Sequence, residues 1–187
     1  MRRSLGLLAA AAALGTIAAP VSTAQAVTAP PASGVGRSGS LSLSGPATTA
    51  SVSGAPEVGT ARENTVVRLV NDQRAKKGCR ALKHHPRLHR AARRHSADMA
   101  EHGYFSNISR DGRSFAYRLK DAGFTGATSM AENIATGYRT PAAVVRSWMD
   151  HSATKASIMN CKFAFVGVGA VENSDGMIYW TQDFASR

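Results

Sequence analysis

The stretch RRHSADMAEHGYFSNISRDG, residues 93–112, places two histidines on an apparent helix and then enters an aromatic-Ser-Asn turn. An imidazole can act as acid, base or metal ligand. His95 falls on the apolar stripe between Ala92 and Met99. It is therefore either a core histidine bonded to backbone or carboxylate, fixing its helix against the loop after Phe105, or a ligand or acid-base group. Glu132, in SMAENIATG, is the most conspicuous acid. Its neighbours are small, apolar and uncharged, and burial there raises a carboxyl's pKa unless a donor or cation faces it. The same setting suits a general acid or a buried hydrogen-bond hub, and one acid without a visible partner is not a mechanism. His84, His85 and His89 do not make a ligand set, because His85 precedes Pro86 and has a non-helical backbone; they read as surface histidines. There is no HExxH, GxSxG, P-loop, paired CxxC, or GxGxxG opening a helix, so no cofactor and no metal are expected.

Several elements must position these groups. Thr60 and Glu63 form a capping box, and Val66, Leu69, Val70 and Gln73 continue one face until Gly78, giving a helix from about Ala61 to Lys77. Pro86 suits a first helical position, and Leu88, Ala91, Ala92, His95 and Met99 recur at helical steps until Gly103. Ser114 to Ala122 makes a short helix ended by Gly123, and Thr140-Pro141 opens another whose face is Val144, Val145, Trp148 and Met149. FAFVGVGAVE and MIYWTQDFAS, separated by NSDG, read as the two long antiparallel strands, with Asp175-Gly176 at the turn. Both alternating sets of the first strand are apolar, so helices should cover both faces of the sheet.

The whole chain bounds the setting. MRRSLGLLAAAAALGTIAAPVSTAQA carries two arginines, a short apolar run and Ala24-Gln25-Ala26, a secretory leader over residues 1–26 cleaved near Ala26. From Val27 to about Val58 the chain is Ala, Pro, Ser, Gly and Thr with Arg37 and Glu57 as its charges, a disordered linker over 27–58. Residues 59–187 are the size of one domain. No later run is long enough for a membrane span, so an extracellular, soluble mature protein is expected. In that compartment Cys79 and Cys161 are expected to pair; nothing local suggests a reactive Cys161 served by His151. Lys and Arg number 23 against 12 Asp and Glu. Arg74, Lys76, Lys77, Arg80, Lys83, Arg87, Arg90, Arg93 and Arg94 follow one another with no acid between Asp72 and Asp98. Arg80, Lys83, Arg87, Arg90, Arg93 and Arg94 are read as a basic surface that is either a solvated helix face or a site for anionic wall polymers or lipid heads. Nucleic acid is not expected, because the run has no aromatic side chains for stacking.

HSADMAEHGYFSNISRDGRSFAYRLKDAGF, AENIATGYRTPAAVVRSWMD, ASIMNCKFAFVGVG and YWTQDF, in that order, resemble the bacterial secreted branch of the CAP superfamily (cysteine-rich secretory proteins, antigen 5 and pathogenesis-related 1). The resemblance implies an α+β fold, a three-layer α-β-α sandwich around a small, mainly antiparallel sheet. It also implies a central cavity lined by two histidines and acidic residues, which in some relatives binds a divalent cation. The chain departs from that pattern. Asn107 stands where the first cavity histidine is expected, and Thr154 where the second is. Glu132 keeps the family's Glu-Asn-Ile-Ala position, and His151, three residues after Trp148, points into the cavity or lies on the surface. An amide and a hydroxyl cannot replace imidazole nitrogens at a zinc-type site. The expected function is a non-catalytic binding module for an extracellular lipid, glycan or protein, with Asn107, Glu132, His151, Thr154 and His95 as cavity candidates. The alternatives are a cell-wall hydrolase or protease-like enzyme using Glu132 as acid or base with His151 or His95, and a structural spacer.

Overall fold

The computed structural model describes residues 25–28 and 57–187. The rest of the expected leader and linker lies outside the described residues. Among the described residues, five helices and five strands follow in the order β1 (Gln25–Thr28), α1 (Ala61–Lys76), β2 (Lys83–His84), α2 (Pro86–His102), α3 (Phe115–Asp121), β3 (Ser129–Thr136), α4 (Pro141–Asp150), α5 (Ser152–Ile158), β4 (Phe165–Glu172) and β5 (Ile178–Ser186). Capping chemistry sets the helix starts. Thr60 and Glu63 satisfy each other's backbone N–H groups at α1, and Ser114 and Thr140 accept from the third residue of α3 and α4. Gly103, in the left-handed region, closes α2.

The sheet order is β1-β3-β5-β4-β2. The three long strands are antiparallel neighbours, and the two short outer strands run parallel to theirs. Four elements were not foreseen. β1 and β2 are short edge strands, and β1 puts Val27 and Thr28, expected at the start of a disordered linker, into the sheet, because Val27 buries its side chain in the larger core. β3 carries Glu132 through a run of small and apolar residues without alternation, because the strand is covered on both faces. α5 follows α4 after a break at His151, whose extended backbone serves as the last cap of one helix and the first of the next.

Side-chain alternation divides the sheet into two faces. Ala131, Ala135, Val166, Val168, Trp180 and Phe184 pack with α1, α4 and α5 in the larger core. On the other face lie Ile134, Tyr179 and Ala185 with residues of α2 and α3. There Gly167 and Gly169 let α2 lie directly on β4: a Cβ at Gly167 would sit 2.1 Å from the backbone carbon of Leu88, and one at Gly169 2.5 Å from that of Ala92.

Cys79 and Cys161 are joined, tying the loop after α1 to the start of the β4 approach. Arg74 sits beside this link, and here the reading of the basic run is corrected. Its side chain is fully buried and donates to the carbonyls of Arg80, Ile158, Asn160 and Phe163 at 2.7–3.2 Å. It organises the loops around the disulfide rather than adding to a solvent-facing charge.

Candidate functional site

Strand alternation turns Glu132 toward the α2–α3 side, where it has no exposed surface. One carboxylate oxygen accepts from the Asn107 amide at 3.0 Å and the other from the Arg118 guanidinium at 2.6 Å. Arg118 is the cation that the sequence reading did not see. Its other terminal nitrogen donates to Asn107 O, Ser109 Oγ and Arg113 O, each at 3.0 Å, so one buried side chain holds both Glu132 and the loop before α3. The signal for it was available: Phe115, Arg118 and Leu119 share one buried helical face.

A second acid was also missed. In β5, Asp183 lies directly opposite Glu132 across the β3–β5 pair, on the same face, and it too has no exposed surface. Neither of its oxygens meets a donor among the described residues, and the acid close enough to share a proton with it is Glu132. Burial, then the charge of Glu132, push the Asp183 carboxyl well above the ordinary range, and Arg118 only partly opposes them. An acid inside IYWTQDFAS, a strand otherwise suited to burial on both faces, was its signal in the sequence.

His95 borders the same cluster. Its Nε2 lies 2.9 Å from the Ser106 carbonyl, so that nitrogen carries the proton and fixes α2 against the loop after Phe105. Burial lowers its pKa more than Glu132 raises it. The remaining two cavity candidates lie elsewhere. Thr154 donates to Trp148 O at 2.6 Å, and its carbonyl accepts from Asn133, which faces the opposite side of the sheet from its neighbour Glu132. His151 is exposed at the α4–α5 break, bonded to Ser147 O at 2.8 Å. The structure thus brings Asn107, Glu132 and His95 around Arg118 and leaves Thr154 and His151 apart.

This donor set does not fit the divalent cation that some relatives hold: a guanidinium occupies one side of Glu132 and an amide donor the other. Among the described residues no three His, Cys, Asp or Glu side chains converge as a metal cage.

What meets solvent is a cavity of about 250 Å³ between α2, the following loop and α3, bordered by Arg94, His95, Asp98, Arg113, Arg118 and Asp121. Its acids are already paired. Asp98 accepts from Tyr104 and lies 3.1 Å from His102, while Arg113 lies 2.6 Å from Asp111 and 3.6 Å from Asp121. Arg94 is exposed and makes no ion pair among the described residues.

The basic surface is divided in the same way. Arg87 and Arg90 donate to the carbonyls of Gly123 and Ala122 at the end of α3, at 2.7 and 2.6 Å, and Arg93 is held by Glu63 at 2.7 Å. All six are exposed, and Arg80, Lys83 and Arg94 have no such side-chain partner among the described residues. The three neighbouring histidines are half-buried and not surface groups. His84 is bonded to Asn64 at 2.9 Å and accepts from Val168 N, and burial, reinforced by His89, pushes its pKa down to about 4. His89 donates to Val168 O at 2.8 Å, and His85 packs edge-on against Phe124 and Phe165.

Residues 67–184 match the model of the CAP, cysteine-rich secretory protein, family. The chain is 36% identical over 133 residues to YkwD of Bacillus subtilis (strain 168), covering 71% of this chain and 50% of that protein. It is 30% identical to the membrane protein YlbC of the same strain over 70% of this chain and 36% of that one. The chain therefore spans half or less of the curated relatives it matches. An extracellular protein containing a SCP domain from Bacillus anthracis str. Ames superposes with a TM-score of 0.61 at 25% identity, over 67% of this chain and 40% of that one. An outer surface protein from Borrelia burgdorferi superposes equally well, at 0.61, with 16% identity over 66% of this chain and 91% of that one, a likeness of fold alone. With its motifs in family order, its α-β-α layers and a family match over most of the folded domain, this chain belongs to the CAP, or cysteine-rich secretory protein, family.

Proposed function

We propose that the protein is exported and acts as a non-catalytic binding module whose polar groove takes an acidic group of an extracellular glycan, with Arg94 as the cation that receives it. The observation that carries this reading is the contrast between Glu132 and the groove. Glu132 has both oxygens engaged and no exposed surface, so the would-be acid is not offered to a substrate. The open groove instead presents a guanidinium on a positioned, polar wall. A lipid tail would need an apolar tunnel, which this wall does not provide. Arg80 and Lys83, exposed near the disulfide and on β2, add positive charge that favours anionic wall polymers. The amide of Asn107 on Glu132, where the family pattern has an imidazole, supports a cavity that has lost the metal chemistry of its relatives.

One observation favours the enzymatic alternative: two carboxyls face each other at Glu132 and Asp183. A single experiment separates the readings. The secreted protein is titrated with purified acidic and neutral cell-wall glycans at two salt concentrations, and the soluble fraction is examined for cleavage products. The binding reading expects salt-sensitive binding to the acidic glycan that falls by about tenfold in Arg94→Glu, the loss of one charge-assisted contact, with no product. Released product that disappears in a folded Glu132→Gln variant would replace binding by catalysis.

A further inference from the structure

The sequence contains two small-x-small frames at the end of its leader, Ser22-Thr23-Ala24 and Ala24-Gln25-Ala26, and either suits signal cleavage. The fold treats them differently. Gln25–Thr28 forms β1, paired in parallel with Asn133–Thr136 of β3. Val27 is 4% exposed and belongs to the larger core with Trp148 and Ile158, whereas Ala26 and Thr28 face outward. Tyr138 fastens the end of this strand by donating to Thr28 O at 3.3 Å.

Cleavage after Ala26 would remove half of β1 and create a new ammonium on Val27, whose side chain is sunk in apolar surroundings. A charge cannot stay there without a partner, so the strand would leave and expose the β3 edge. Cleavage after Ala24 keeps all four paired residues and places the ammonium at the strand's outer end. We propose that the leader is removed between Ala24 and Gln25, so that the processed N-terminus is itself the edge strand that closes the sheet beside β3.

The inference rests on export. The test is therefore to secrete the full chain from a bacterial host and identify the N-terminal peptide by mass spectrometry. A terminus at Gln25 supports the proposal, and a terminus at Val27 overturns it alone. A chain that keeps Met1 removes the export reading and the proposal with it. Hydrogen exchange on the secreted protein supplies the second measurement. Val27→Asp is expected to lower protection of Asn133–Thr136 by at least about tenfold while β4 and β5 stay protected; unchanged protection would show that β1 does not hold the edge.

Discussion

At the level of single residues, two fully buried acids meet the guanidinium of Arg118 on the inner wall of the cavity. Glu132 takes the Arg118 charge and the Asn107 amide, and Asp183, directly opposite, is left without a donor. Arg118→Met would leave Glu132 unpaired and buried, and is expected to lower stability by about 3–5 kcal/mol, read from urea melts at neutral pH. Asp183 gives a pH signature. A carboxyl whose folded pKa is raised binds its proton more tightly in the native state. Its contribution is therefore complete below the unfolded value, near pH 4, and is lost as pH rises toward the folded value, with a slope of up to about 1.4 kcal/mol per pH unit. Asp183→Asn cannot ionise, so its stability relative to the wild type should increase steadily from about pH 4 upward; parallel curves would mean that Asp183 is not held protonated. Of this cluster, Glu132 and His95 were legible from their surroundings in the sequence. Arg118 and Asp183 were not singled out, because nothing in a one-dimensional string says that α3 and β5 meet at Glu132.

Among the elements, the contact between α2 and β4 depends on two missing side chains. Gly167→Ala is expected to destabilise the protein by at least about 1–3 kcal/mol, since its Cβ would meet main-chain atoms of Leu88 and not a side chain that could swing away. A thermal melt within a few degrees of the wild type would mean that α2 lifts off the sheet at little cost. Helix starts were readable because capping is local: Thr60, Ser114 and Thr140 act within three residues of their own positions. β3 was hidden because coverage by helices on both faces removes the alternation that marks a strand. The basic helix shows the reverse. Its charges were plain in the sequence, but the carbonyls of Ala122 and Gly123 that occupy Arg90 and Arg87 were not.

Across the molecule, the Cys79–Cys161 bond closes a separation of 82 residues and sits against Arg74, whose four carbonyl partners come from both ends of that span. Replacing both cysteines by Ala is expected to cost about 2–4 kcal/mol. The loss should be largest near Arg74, seen as faster hydrogen exchange around Arg80 and Asn160. A double variant with wild-type stability would leave Arg74 alone as the organiser of this end. The same loops carry the exposed Arg80 and Lys83, so loosening them would also disperse that part of the basic surface.

Most helices, the β4–β5 hairpin, the cysteine pair and the family could be read along the chain alone, because caps, turn glycines, periodicity and ordered motifs are properties of neighbours in sequence. Which polar groups share a site was settled by the fold. It set Arg118 and Asp183 beside Glu132, sent Thr154 to the opposite face, and left His151 in solvent. The physical reason is that burial and pairing of a charge depend on which strands lie in register and which helix covers them, and those contacts join residues far apart in the chain.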